Sequence, residues 1–252
     1  GDYRVIEMNP RLSRSSALAS KATGYPLAFV AAKLCLGFSL NQLTNQVTKK
    51  TTAFFEPALD YVVVKIPRWD THKLRLADRH IGTEMKSVGE VMGIGRTFPE
   101  ALQKAVQMLN IGASSLHDYL WPIHDLRREI EFATDRRIFA LYKWFYAGGD
   151  LCEAQQLSRI DFWFLNQIKQ IAEVALQVKH ELTPSTLRTA KQFGFSDKSL
   201  ATLTEQAELT IRHLRHEHNI RPMVKQIDTL AGEFAAQTNY LYTTYHGRYH
   251  DI

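Results

Sequence analysis

A change in residue pattern near Gly112 divides the sequence into two parts that must fold differently. Before it, segments rich in β-branched residues, such as residues 61–66, alternate with glycine-rich turns and helical segments. After it, strand signals vanish and apolar residues recur at helical spacing, as over residues 161–179. The pattern predicts an α+β fold, with strands and helices mixed over residues 1–111 and an all-α domain over residues 112–252.

Cap and turn residues predict a helical start to the first part. Ser15 or Ser16 should cap a helix that Gly24 ends, and Pro26 should open a second helix. That second helix, residues 27–36, is strongly apolar, so we expect its Cys35 to lie in the core.

Strand and turn signals then alternate with one further helix. Residues 53–55 and 61–66 should be strands, the second stopped by Pro67. The glycines of residues 85–95 favour a strand and turn with close backbone approach. A phosphate loop is the alternative, although neither G-x-G-x-x-G nor G-K-[ST] is present. Thr97 should cap the helix that closes this part.

The second part should contain only helices. They are predicted at residues 123–132, 136–147, 150–157, 161–179, 183–194, 196–203 and 204–218. Leu209 and Leu214 should face inward, and residues 162–164 should serve as core or as a subunit contact. The three histidines between residues 213 and 218 are more typical of an exposed charged helix than of a metal site, because they share no face closely. The aromatic segment at residues 240–245 is β-prone.

A polar motif follows a short apolar stretch at the N-terminus. If Tyr3, Val5 and Ile6 form a strand, alternation places Glu7 and Asn9 on one face. A carboxylate and an amide oxygen are hard ligands suited to Mg²⁺ or Mn²⁺ held with nucleotide phosphates. Pro10 ends the strand, and Arg11 adds a planar cation suited to a carbonate or phosphate. The alternative is a solvated strand end.

Composition excludes several classes of protein. The formal charge of +5 comes from scattered Lys and Arg residues, so the sequence carries no nucleic-acid footprint. Cys35 and Cys152 are too few and too far apart for a disulfide framework or a zinc site, which favours a reducing cytoplasm. No apolar stretch reaches membrane-spanning length, and no signal peptide pattern is present, so no membrane is expected as a partner.

Several runs, in order along the whole chain, resemble the large subunit of carbamoyl-phosphate synthase. They are residues 7–16 with 20–24, 55–61 with 65–68, 85–92 with 95–97, 160–165, and 224–229 continuing to 240–242. Residues 110–134 carry no motif of that family. The family resembles a duplicated protein with two ATP-grasp halves, and the run Ser-Arg-Ser-Ser-Ala-Leu from Ser13 is similar to the first half, which phosphorylates bicarbonate.

The resemblance implies roles for four residues. Glu7 would bind two divalent ions, Mg²⁺ or Mn²⁺, that bridge the phosphates of ATP, and Asn9 would complete one metal shell. Arg11 would hold bicarbonate or carboxyphosphate as the catalytic cation. Arg14 is a further candidate, lining the route by which carbamate leaves.

The resemblance also implies a domain plan and partners. Residues 1–111 would be the C-terminal part of the carboxyphosphate ATP-grasp domain, and residues 112–252 the oligomerisation domain that joins large subunits. A small glutamine amidotransferase subunit or domain would supply ammonia, in pyrimidine or arginine biosynthesis. The chain resembles an excised piece whose nucleotide-binding portion lies upstream of Gly1, so these residues alone should be inactive. The alternatives are another ATP-grasp ligase, such as a biotin-dependent carboxylase, or an assembly module.

Overall fold

A computed structural model describes residues 5, 8, 11–73, 76–119, 122–237 and 240–252, with the backbone alone for residues 14, 15 and 72. The described part of the chain has ten α-helices and four strands. The helices are α1 (Arg14–Thr23), α2 (Leu27–Cys35), α3 (Phe98–Met108), α4 (Leu126–Glu131), α5 (Arg137–Tyr146), α6 (Leu151–Ser158), α7 (Phe162–His180), α8 (Pro184–Gln192), α9 (Asp197–Thr204) and α10 (Glu208–Glu217). The strands are β1 (Val62–Arg68), β2 (Gly89–Gly95), β3 (Met223–Gln226) and β4 (Leu241–Thr244).

The chain forms two compact units. The first unit comprises Gly1–Asp60, Val224–Thr243 and Tyr249–Ile252, and the second comprises Tyr61–Met223 and Thr244–Arg248. Each unit is therefore built from segments distant in sequence. The predicted boundary between two family domains at residue 111 does not coincide with the boundary between these units. That domain boundary stays a prediction.

In the second unit, β1 and β2 form an antiparallel pair with α3 packed against it. The register runs from Val62 opposite Gly95 to Arg68 opposite Gly89. The sequence predicted that Pro67 stops this strand. Instead, Pro67 lies within β1, opposite Glu90. In a two-stranded sheet each strand is an edge, so a residue without an N–H is tolerated on the unpaired side.

The predicted helix after Thr97 is confirmed as α3. The Thr97 hydroxyl accepts a hydrogen bond from the Glu100 N–H, which caps the helix. Leu102, Ala105 and Val106 of this helix are buried in the core of the second unit. The strand at β2 is confirmed as well.

The predicted helices of the second part correspond to α4–α10 and share one core with α3. The largest fully buried side chains are Tyr142, Phe195, Leu102, Leu116, Ile130, Leu141, Leu165, Ile171, Leu187, Leu200, Ile211 and Ile220. All of them belong to the second unit, so this core fixes the positions of α3 and α7 relative to each other.

Three details of the second part differ from the predictions. α9 ends at Thr204 because Glu205 adopts a left-handed conformation, and α10 begins only at Glu208. Leu209 is exposed, and the buried residues of α10 are Ile211 and Arg215. The chain after α10 is not helical: β3 pairs with β4, which lies in the segment predicted to be β-prone.

The first unit holds α1 and α2 and a small core of Val30, Leu43 and Ala53. Residues 53–55 were predicted to form a strand, but they form an irregular segment. Cys35 is exposed rather than buried, because Val30 is the buried residue of α2. None of the helices in the described part of the chain combines the length and apolar character needed to cross a bilayer.

Candidate functional site

The predicted metal ligands Glu7 and Asn9 lie outside the described residues, as do Tyr3 and Ile6 of the predicted strand. Their described neighbours Val5 and Met8 are exposed and belong to no helix or strand. The roles of the two ligands therefore stay predictions.

Arg11 is an exposed cation close to the start of α1. In the described part of the chain, its Nη1 donates one hydrogen bond, a long one of 3.5 Å, to the Leu12 carbonyl. Within the described residues no carboxylate forms an ion pair with it. An exposed guanidinium with little else to bind can take a planar anion in a bidentate manner.

The N-terminus of α1 adds to this positive region. The Ser13 N–H donates to Ser16 Oγ at 3.2 Å, and no acidic residue occupies the first turn. The unpaired N–H groups of a helix N-terminus favour negative charge. Arg14 is the first residue of the helix, and its side chain is outside the description. Arg11 and the start of α1 thus form a region suited to an anion.

The turn between α1 and α2 is held firmly within the first unit. Gly24 has the left-handed conformation (φ 69°), and a Cβ there would lie 3.4 Å from Val47 and 3.6 Å from Thr229. The Tyr25 hydroxyl donates to the Ala53 carbonyl at 3.1 Å. Val47 and Thr229 thus lie beside the turn that ends α1, the helix that begins at Arg14.

Gly93 and Gly95 of β2 serve packing, as the favoured interpretation predicted. A Cβ on Gly93 would lie 2.2 Å from the Ala101 carbonyl oxygen and 2.7 Å from the Ala105 nitrogen. A Cβ on Gly95 would lie 2.8 Å from the Glu100 carboxylate. The space beside these two glycines is therefore filled by α3, which leaves no room there for a phosphate.

The histidines of α10 and the turn after it are exposed, as the favoured interpretation predicted. Among the described residues, no group of three or more His, Cys, Asp or Glu side chains is arranged to hold a metal ion.

A buried carboxylate that the sequence analysis did not single out joins several elements of the second unit. Glu100 is 0% exposed, and its Oε2 accepts hydrogen bonds from the Arg96 N–H (2.8 Å) and the Thr244 hydroxyl (3.0 Å). Lys104 Nζ donates to its other oxygen at 2.7 Å. Glu100 thereby ties Thr244 to the turn between β2 and α3. From the sequence alone, Glu100 resembles any acidic residue in the first turn of a helix, where negative charge is common.

A second buried network links α8, α9 and α10. Asp197 accepts hydrogen bonds from Lys191 (2.7 Å) and from Arg215 (3.0 Å), and the Tyr245 ring lies over both cations. Burial lowers the pKa of Lys191. Burial acts to raise the pKa of Asp197, but the two cations outweigh it and the net shift is downward. Charges this fully paired hold helices together, so we assign the network a structural role.

Residues 162–164 are not core. Phe162, Trp163 and Phe164 are 46%, 53% and 45% exposed at the start of α7. The sequence offered two interpretations of these residues. The prediction that they are core residues is wrong, and the prediction that they contact another subunit is untested.

Two family models match the chain. Residues 90–219, more than half of the chain, match the model described as "Carbamoyl-phosphate synthetase large chain, oligomerisation domain". Residues 1–43 match the model described as "Carbamoyl-phosphate synthase L chain, ATP binding domain". The second match contains Glu7, Asn9, Arg11 and Arg14.

Curated relatives match the whole chain. A multifunctional protein CAD from Squalus acanthias is 51% identical over 255 residues, 99% of this chain and 11% of that protein. An arginine-specific carbamoyl phosphate synthase large chain from Cutaneotrichosporon cutaneum is 49% identical, covering 100% of this chain and 22% of that protein. A mitochondrial carbamoyl-phosphate synthase (ammonia) from Rattus norvegicus is 48% identical, with 100% and 17% covered. The chain therefore spans between 11% and 22% of the length of these relatives.

Proposed function

The chain belongs to the carbamoyl-phosphate synthetase large chain family, and on that premise we propose that its N-terminal residues help to form the site where ATP phosphorylates bicarbonate in a longer large chain. One observation carries the proposal. The predicted residues Glu7, Asn9, Arg11 and Arg14 all fall within residues 1–43, the stretch that matches the ATP binding domain.

The proposed reaction begins with phosphoryl transfer. A bicarbonate oxygen forms a bond to the γ-phosphorus of ATP as the bond to the β–γ bridging oxygen breaks, which releases ADP and gives carboxyphosphate. Ammonia then attacks the carboxyphosphate carbon and phosphate leaves, giving carbamate. A second phosphorylation, in the other half of the large chain, gives carbamoyl phosphate. Such transfers depend mainly on positioning and on neutralising charge.

Glu7 and Asn9 are the proposed metal ligands. A carboxylate and an amide oxygen fit the preference of Mg²⁺ and Mn²⁺ for hard oxygen donors. When bound, two such ions supply positive charge to the phosphates during transfer. Because both residues lie outside the described part of the chain, no coordination geometry is assigned to them.

Arg11 is the proposed catalytic cation. Its exposed guanidinium precedes the N-terminus of α1, so cation and helix end together attract an anion. In the proposal it orients bicarbonate for attack and holds the carboxyphosphate that forms. Arg14, one helical turn of chain further on, would line the route that carbamate takes.

The proposed partners follow from the same reaction. A glutamine amidotransferase subunit or domain would supply ammonia, whereas the name of the rat relative specifies ammonia itself. Other large subunits would bind through residues 112–252, which contain most of the match to an oligomerisation domain. We place the protein in the cytoplasm, and fractionation of cells that express it tests this, since the rat relative is mitochondrial by name.

An assembly module without chemistry of its own is the second candidate function. The observation that favours it is that the larger of the two family matches, residues 90–219, is described as an oligomerisation domain.

The experiment that tests the main proposal is an assay of bicarbonate-dependent ATP hydrolysis in the full-length large chain carrying Arg11→Ala. We expect a loss on the order of a hundredfold, because a cation aimed at developing charge is removed. Arg11→Lys should also impair the reaction, since the charge stays but the planar fork is lost. Arg212→Ala, which removes an exposed arginine of α10, is the matched control and should leave the rate unchanged. An unaltered rate in Arg11→Ala would refute the assigned role.

A further inference from the structure

We propose that residues 244–248 form a strap that fastens α3 to α8 in the second unit and is released as a single element while the helices stay folded. These residues belong to the second unit, whereas residues 224–243 and 249–252 belong to the first. Only the first residue of the strap, Thr244, lies in a strand, which is β4. The inference does not depend on the proposed function.

The first residue of the strap is attached to α3. The Thr244 hydroxyl donates to the Glu100 carboxylate at 3.0 Å and accepts a hydrogen bond from the His246 N–H at 3.2 Å. Thr244 and Glu100 are both 0% exposed. Because a hydrogen bond to a carboxylate is stronger than one between neutral groups, this contact is the main anchor of the strap.

The next two residues of the strap are attached mainly to α8. His246 Nε2 lies 3.0 Å from the Gln192 carbonyl oxygen, which can only accept, so this nitrogen carries the hydrogen. The Gln192 side chain donates in turn to the Tyr245 carbonyl oxygen at 3.4 Å. The Tyr245 ring lies over the cations of Lys191 and Arg215 and packs against the helical core. The strap therefore reaches from the first turn of α3 to the last residue of α8.

Side chains, rather than a backbone ladder, hold the strap in place. Among the described residues, no backbone–backbone hydrogen bond joins residues 245–248 to the rest of the second unit. The attachments lie on consecutive residues, so once one contact has formed, the others form at a high effective concentration. Contacts that depend on each other in this way form and break together, which makes the strap a single element.

Release of the strap leaves the buried charges beneath it paired. Asp197 keeps its hydrogen bonds from Lys191 (2.7 Å) and Arg215 (3.0 Å). Glu100 keeps its hydrogen bond from Lys104 at 2.7 Å. A buried charge is strongly destabilising when it loses its partner, but each of these charges retains one. Release therefore requires less free energy than unfolding of the helices, as is typical of locally opening segments.

Limited proteolysis of the full-length protein with trypsin tests the proposal, with the cuts located by mass spectrometry. Arg248 is exposed at the end of the strap, and Arg188 is exposed on α8. A protease needs an opened segment, so cleavage after Arg248 reports release of the strap and cleavage after Arg188 reports unfolding of the helix. When opening and closing are fast, each cleavage rate follows the population of the open form.

Thr244→Val tests the anchor on α3. Valine keeps the shape of threonine but removes both hydrogen bonds of the hydroxyl, so cleavage after Arg248 should rise about tenfold. Thr202→Val is the matched control, because its exposed hydroxyl on α9 donates to the Lys198 carbonyl at 3.2 Å. This control should leave cleavage after Arg248 unchanged. An unchanged rate in Thr244→Val would overturn the proposal, since residues 244 and 248 would then be held independently.

Ile130→Val tests whether the strap is released while the helices stay folded. Ile130 is fully buried in α4, so removing one methyl group weakens the helical core, and cleavage after Arg188 should rise several-fold. Cleavage after Arg248 should stay at the wild-type rate, because the strap and its anchors are unaltered. An equal rise at both sites would overturn the proposal, since the strap would then leave only when the second unit unfolds.

Discussion

At the scale of single residues, His117 shows how burial can make the second unit sensitive to pH. Its Nδ1 lies 3.1 Å from the Tyr142 hydroxyl oxygen, and its ring packs against Tyr142 and Tyr146. Burial lowers the pKa of this imidazole, the Asp118 carboxylate acts against that shift, and nearby lysines add to it. The folded protein therefore favours the neutral ring.

We predict that acidification destabilises the protein through His117. An unfolded histidine has a pKa of about 6.5, and the folded value is lower, so below that pH the unfolded state binds more protons. The free energy of unfolding should fall as the pH is lowered from about 6.5 towards the folded pKa.

His117→Phe keeps a ring in the same place but cannot titrate, so its unfolding free energy should decline less steeply with falling pH. His213→Gln, at an exposed histidine of α10, is the control and should retain the wild-type slope. Denaturant titrations at several pH values measure the slopes, and an unchanged slope in His117→Phe would contradict this role.

The role of a single residue could be predicted from sequence where it depends on local backbone conformation. It could not be predicted where it depends on residues that are distant in sequence. Gly24 was recognised as a helix end because a left-handed residue favours glycine. Cys35 was placed in the core because its helix is apolar, but the hydrophobicity of a segment does not say which face finds a partner. Glu100 went unnoticed for a similar reason, since its partner Thr244 is 144 residues away.

At the scale of elements, the contact between β2 and α3 depends on a missing side chain. Gly93 leaves the strand open to the α3 backbone, with the Ala101 carbonyl oxygen 2.2 Å from where a Cβ would stand. We predict that Gly93→Ala destabilises the second unit by about 3 kcal/mol, because helix and strand must move apart.

Gly89→Ala is the matched control for that substitution. It lies on the same strand, and a Cβ there meets nothing within 4 Å. Its effect should stay within about 0.5 kcal/mol. Urea denaturation of both variants measures the difference, and equal stabilities would show that α3 does not press on Gly93.

Elements with strong local signals were predicted, and those formed by distant pairing were not. α3 and α7 have a cap residue followed by regular apolar spacing, and both were found where expected. β3 is four residues long and its partner β4 lies well beyond it in sequence, so no local pattern announced it. Pro67 was taken as a stop because the sequence did not reveal that β1 has only one neighbour.

At the scale of the whole molecule, sequence motifs identified the family, but they did not place the candidate site. The motifs occur in order along the chain, and the family models and relatives confirm the assignment. The compact units instead join residues up to Asp60 with residues after Met223, a pairing that depends on long-range contacts. The positions of Glu7 and Asn9 stay predictions, since neither is among the described residues.

The most direct test of the bicarbonate-phosphorylating role uses the full-length large chain carrying Glu7→Ala, with Glu217→Ala at an exposed position of α10 as control. Two reactions are measured: bicarbonate-dependent ATP hydrolysis, and ATP formation from carbamoyl phosphate and ADP. We predict that Glu7→Ala abolishes the first and leaves the second, while the control keeps both. Loss of the second with the first retained would assign these residues to the other half, and persistence of both would contradict the metal site.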